Sequence, residues 1–230
     1  GDALNNIENL TLRHCDIHIS AYPVITMSKS RKSLALAHCT IAPVITQAQI
    51  ASGSFQKPQQ LESLTVRCGD LPPALVESLT ADPALRSVAI VAQRQIPWQQ
   101  LASLPVLEQL TLEYTTVQAD VLTPMKQLRS LAFRNSIVKG VLPRLERLEE
   151  LDVSRSRFDS LRDMFMNNLQ VTKVALQGVA LDSAYESKVL QKFTRLTALD
   201  LAYCQLSDKT VENIAELPNL TALDLTGVTL

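Results

Sequence analysis

Two His-Cys pairs, His14-Cys15 and His38-Cys39, are the residues of this chain best suited to chemistry. Two imidazoles and two thiolates are a suitable ligand set for zinc when they converge on one ion. The pairs also belong to a duplicated stretch. HCDI at 14–17 matches HCTI at 38–41, and YPVIT at 22–26 matches APVIT at 42–46. Repetition is thus a competing explanation for the pairs. Other chemistry has no signature. The chain lacks a G-x-S-x-G elbow, a P-loop, an H-E-x-x-H zinc helix and a G-x-G-x-x-G turn. All three histidines lie within the first 40 residues, and none has an evident nucleophile or base partner. No enzyme, catalytic residue or cofactor is expected.

Composition narrows the classes further. The 230 residues are 46% hydrophobic, enough for a core, with 22 Lys+Arg against 23 Asp+Glu and a net charge of -1. That balance gives no general attraction for nucleic acid or anionic lipid. At 4% aromatic residues, a platform for stacking bases would be sparse. No window approaches the ~20 apolar residues of a membrane span. A basic-then-apolar leader is missing from this sequence, although the opening Gly1-Asp2 is compatible with a removed signal. Four cysteines without a CxxC pair favour free, buried thiols and a reducing compartment such as the cytoplasm.

The elements that would position any site come from a repeat, L-x-x-L-x-L-x-x-(C/S/T)-x-L. The clearest copies are LTALDLAYCQL at 196–206 and LTALDLTGVTL at 220–230. LEELDVSRSRF (148–158), LRSLAFRNSIV (128–138) and LEQLTLEYTTV (107–117) follow closely. Weaker copies start at Ile7, Arg31, Leu61, Leu85 and Val171, so Arg31 is the one polar first position. An insertion around Ser52-Gly53-Ser54 accounts for the longest interval. Within each copy the L-x-L centre alternates with period 2 and predicts a strand. The segments between copies predict short helices or 3-10 turns. Ser160 and Asp163, and Ser183 and Glu186, have helix-start spacing, and Val211, Ile214 and Ala215 form an apolar stripe. Leu104-Pro105 and Leu217-Pro218 stop two crossovers before the next strand.

These copies resemble the leucine-rich-repeat superfamily over essentially the whole chain. The run from Cys204 through Ser207-Asp208 to Leu220 is closest to its cysteine-containing, ribonuclease-inhibitor-like subclass. The resemblance implies an α/β fold: a leucine-rich-repeat solenoid, or horseshoe arc, of about ten repeats. A parallel β-sheet would line its concave face and short helices or 3-10 turns its convex face. It implies one domain over 1–230, either whole or a fragment of a longer protein. The ninth position of each copy would face inward and serve the backbone turn, here with Cys15, Cys39, Gly69, Gln93, Thr115, Ser136, Ser156, Val179, Cys204 and Val228 in place of the family's asparagines. The same phasing stacks His14 on His38 ~5 Å apart at the surface and turns the cysteines inward. Four ligands then cannot converge, so no metal is expected.

The third, fifth, seventh and eighth positions would face outward. They gather Glu113, Tyr114, Arg134, Asp152 and Arg155 on three neighbouring strands, and Asp200, Tyr203 and Asp224 near the end. Tyr and Arg are the types most enriched at binding hot spots, whereas the Asp column also fits a common form of the repeat. By resemblance, the family mostly binds macromolecules on the concave sheet. The leading expectation is a protein-protein interaction scaffold whose concave face takes another protein. One alternative is a self-assembling module associating end to end through uncapped terminal repeats. The other is a secreted effector or sensor of a host or cell-envelope ligand. Neither nucleic-acid binding nor membrane insertion is expected. Trp98 is expected to pack within its crossover.

Overall fold

The computed structural model describes residues 4, 6–26, 28–42, 60–69, 71, 73–93, 95–181 and 188–229. The insertion at 52–54 and the helix start at 183–186 lie outside them. Ten strands form a parallel sheet whose order follows the chain: Asn9–Arg13, Ser33–Ala37, Ser63–Arg67, Ser87–Val91, Gln109–Glu113, Ser130–Arg134, Glu150–Asp152, Lys173–Ala175, Ala198–Asp200 and Ala222–Asp224. Each begins at the third position of one of the ten copies. Like repeat positions pair with like, as in Leu34 with Leu64 and Leu151 with Val174. The L-x-L residues point inward, so Leu64, Val66, Leu131 and Phe133 are fully buried. The fold is an α/β leucine-rich-repeat solenoid.

Two compact units divide the chain, residues 1–111 and 112–230. In the first, helices Tyr22–Thr26, Pro73–Leu79 and Trp98–Ser103 serve as crossovers, and Leu75, Val76 and Leu79 of the second are buried. Trp98 is half-buried. Arg31, standing in a leucine slot, is 1% exposed. Its guanidinium donates to three backbone carbonyls: Nε to Ile7 at 2.9 Å, Nη1 to Ile25 at 2.7 Å and Nη2 to Leu4 at 2.9 Å. Burial lowers its pKa from the ordinary arginine value.

In the second unit the crossovers are the 3-10 turns Ala119–Leu122 and Leu190–Lys192 and the helices Leu161–Phe165 and Asp208–Ala215. Ser160 caps the first helix by accepting from the Asp163 N–H at 3.1 Å, as its spacing predicts. Ser207 caps the second through the Thr210 N–H at 3.2 Å. The apolar stripe expected on this second helix is corrected. Val211 and Ala215 face solvent, while Thr210, Asn213 and Ile214 turn inward, because the 3.6-residue period runs on to Leu217. Phe165 and Phe193 meet edge to face at 5.4 Å between ring centroids in this core.

Four outward assignments are also corrected. Ala132, at the fifth position, Val91 and Ala202, at the seventh, and Cys68, at the eighth, are buried. In the Leu61 copy Cys68 takes over the inward role expected of Gly69, and its Sγ accepts the Cys39 N–H at 3.2 Å. The four thiols are free; Cys39, Cys68 and Cys204 are buried and Cys15 is half-buried. Burial pushes the Cys68 and Cys204 thiols up.

Candidate functional site

All eight site residues read from the sequence lie in the 112–230 unit, and its backbone explains how they are held. The eighth residue of a copy adopts a left-handed conformation: φ is 55° at Tyr114, 49° at Asn135, 54° at Arg155 and 58° at Tyr203. Gly178 and Gly227 do the same at 67° and 65°. That turn aims each N–H at the seventh residue of the next copy. Tyr114 donates to the Arg134 carbonyl at 3.1 Å, Asn135 to Ser154 at 3.1 Å, Arg155 to Gln177 at 2.7 Å, Gly178 to Ala202 at 2.9 Å and Tyr203 to Thr226 at 2.7 Å. The eighth-position side chains therefore stand in one column at the strand ends, ~4.8 Å apart per repeat.

Tyr114 and Tyr203 are 60% and 58% exposed. Tyr203 lies over Gly227 so closely that a Cβ there would meet its ring at 2.6 Å, which glycine alone permits. The Arg155 stem covers Gly178 in the same way, with 3.3 Å to such a Cβ. Among the described residues the Arg155 guanidinium and both phenol hydroxyls show no hydrogen bond. Arg134 is engaged, its Nε 2.6 Å from Asp152 Oδ2. Asn135 donates to Glu113 Oε1 at 3.3 Å.

The Asp column has a backbone duty. Asp152, Asp200 and Asp224 each accept through Oδ1 the N–H two residues on, from Ser154, Ala202 and Thr226 at 2.8–2.9 Å. This local turn competes with the ladder, and the three strands carrying these residues end at the Asp itself. Hydrogen bonds from Thr226, side chain before backbone, hold the Asp224 carboxyl below its usual pKa. Asp200 and Asp224 are direct neighbours across the sheet. The structure thus brings Glu113, Tyr114, Arg134, Asp152 and Arg155 into adjoining copies and places Asp200, Tyr203 and Asp224 in a second zone. Asn135, Gly178 and Gly227 were absent from the sequence-derived set. An eighth-position run of Asn, Gly and Gly was the available signal, since these residues tolerate positive φ best.

In the first unit, His14 and His38 occupy the equivalent turns, both at φ 52°. Their exposed rings stack at 5.0 Å and 7°. No group of three metal-ligating side chains occurs among the described residues, and no described helix is long and apolar enough to cross a membrane.

No family model matches the chain, and no curated protein matches it. Solved structures do resemble it. An internalin (inlF) from Listeria monocytogenes aligns over 93% of this chain and 66% of its own, at 18% identity and a TM-score of 0.58. Internalin C2 from the same organism aligns over 97% and 82%, at 16% identity and a TM-score of 0.56. The plant peptide hormone receptor RGFR1, solved in complex with RGF2, aligns over 98% of this chain but 40% of the receptor, at 13% identity and 0.51. The chain thus spans just under two thirds of the first of these. What they share with it is the leucine-rich-repeat fold.

Proposed function

We propose that this chain is a non-enzymatic protein-interaction scaffold, a single leucine-rich-repeat domain over 1–230, that takes a partner protein on the exposed sheet face of its 112–230 unit. The observation carrying this reading is the eighth-position column. A left-handed turn is cheapest with glycine, and Gly178 and Gly227 show that this repeat accepts it. Tyr114, Arg155 and Tyr203 instead hold bulky, exposed side chains at positive φ. Strain retained under an exposed aromatic or arginine points to use of that side chain. A wall built from hydrogen-bonded strands is also preformed, which lowers the ordering cost of association. The subclass reading, closest to cysteine-containing repeats, rests on the copy from Leu196, where buried Cys204 donates Sγ–H to the Leu176 carbonyl at 3.1 Å.

Affinity capture with the wild-type chain beside Tyr114→Ala/Arg134→Glu/Arg155→Glu tests the scaffold. The expected outcome is a protein retained by the wild type and lost by the folded variant. Equal retention by both would sink the sheet face as the site.

A further inference from the structure

Resting on the scaffold reading, we infer that the partner presents an extended peptide segment running across the strands, with an apolar, an acidic and a basic side chain spaced three residues apart. The inference comes from the order of the column, Tyr114, Asn135, Arg155, Gly178, Tyr203, Gly227. Tyr114, Arg155 and Tyr203 are separated by two repeats each, or about 9–10 Å at sheet spacing. Three residues of extended chain cover about 10 Å. A segment crossing the strands at right angles would therefore meet one of these side chains at every third residue.

Charge decides what each position takes. Arg134 is bound to Asp152 and Lys173 to Glu150, at 2.6 Å in both cases. Arg155 has no acidic partner among the described residues, and its stem lies over Gly178. A carboxylate from outside would complete its guanidinium fork. Two repeats further on the sign reverses. Asp200, in the copy that carries Tyr203, stands side by side with Asp224 of the next copy, and neither has a basic partner among the described residues. A lysine or arginine reaching this end would meet two carboxylates. At the other end Tyr114 offers a ring without a neighbouring unpaired charge among the described residues, which suits an apolar side chain.

Selection of a displayed random dodecapeptide library on the full chain tests this, followed by affinity measurement of one synthetic representative. Enriched peptides are expected to carry an acidic residue three positions from a basic one, in either chain direction. The representative should lose at least about tenfold in affinity against Arg155→Glu. A peptide with lysine in place of its acidic residue should recover binding on that variant, which a general loss of structure could not produce. Three results would overturn the inference. Peptides lost on Tyr114→Ala/Arg134→Glu/Arg155→Glu but lacking the acid–base spacing would remove it and leave the scaffold standing. Peptides that bind that variant as well as wild type would remove both. A library with no enrichment would exclude an extended peptide and leave the scaffold to the capture experiment.

Discussion

The two units meet identical backbone demands with different atoms. At the ninth position the first unit uses a thiol: Cys39 Sγ reaches the Leu12 and Ala37 carbonyls, both at 3.4 Å. The second keeps a thiol at Cys204 and adds hydroxyls with the same wiring as Cys39. Ser136 Oγ reaches Leu112 at 3.4 Å and Arg134 at 2.8 Å, and Ser156 Oγ reaches Phe133 at 2.9 Å and Ser154 at 3.3 Å. The N–H of the preceding copy is received alike, by Cys68 Sγ from Cys39 and by Ser156 Oγ from Ser136 at 3.0 Å. Three residues before the first apolar residue of a copy, Leu85 or Val171, the pattern recurs. Buried Asp82 accepts the N–H groups of Leu61 and Ala84, whereas buried Asn168 accepts from Leu145 and donates to the Pro143 carbonyl at 2.9 Å. The repeat therefore fixes where donors and acceptors must stand, and leaves open which side chain supplies them.

The sharpest test of that view is Arg31, which obeys the geometry and breaks the sequence pattern. Arg31→Leu restores the consensus and strands three carbonyls. Each buried unsatisfied group costs about 1–3 kcal/mol, partly offset because the guanidinium need no longer be desolvated. The expected loss is about 4 kcal/mol by urea denaturation, with amide exchange accelerated in the first unit. A more stable variant would mean that the consensus, not the hydrogen bonding, governs the slot.

Exchanging the two buried amide and carboxylate positions gives the next effect. Asn168→Asp loses the donor to Pro143 and buries a charge, and should cost about 3 kcal/mol. Asp82→Asn keeps one acceptor oxygen and should cost about 1 kcal/mol. Equal costs would show that the two sites are not wired differently. The ladder pair is milder: Ser156→Ala should cost about 2 kcal/mol and Cys39→Ala about 1 kcal/mol, since a thiol makes the weaker hydrogen bonds.

The strand frame was readable in the sequence because burial repeats with it. Ten third positions counted from the motif are the ten strand starts. The inward ninth position also followed, except at Cys68, where Gly69 let the turn slip by one residue. Buried Arg31, Asp82 and Asn168 left no comparable mark. Most of their partners are backbone groups some 20 or more residues away, and no side-chain pattern encodes a carbonyl. The site was readable by exposure and type but not by state. Ion pairing of Arg134 and the hydrogen bonding of the left-handed eighth position depend on the adjacent copy, whereas the turn bonds of the Asp column are local.

The smallest expected effect has the opposite sign and bears on function. Tyr114 sits at φ 55° with its ring 60% exposed. Glycine at that φ avoids a steric cost of about 1 kcal/mol, offset in part by its greater freedom when unfolded. Tyr114→Gly should therefore raise stability by up to about 0.5 kcal/mol, measured as a shift in urea midpoint, while weakening capture of the partner. Gain of stability with loss of binding would identify the turn as strained in the service of recognition. Loss of stability would show that the ring packs on its neighbours, and the strain at the eighth position would then have a structural cause rather than a functional one.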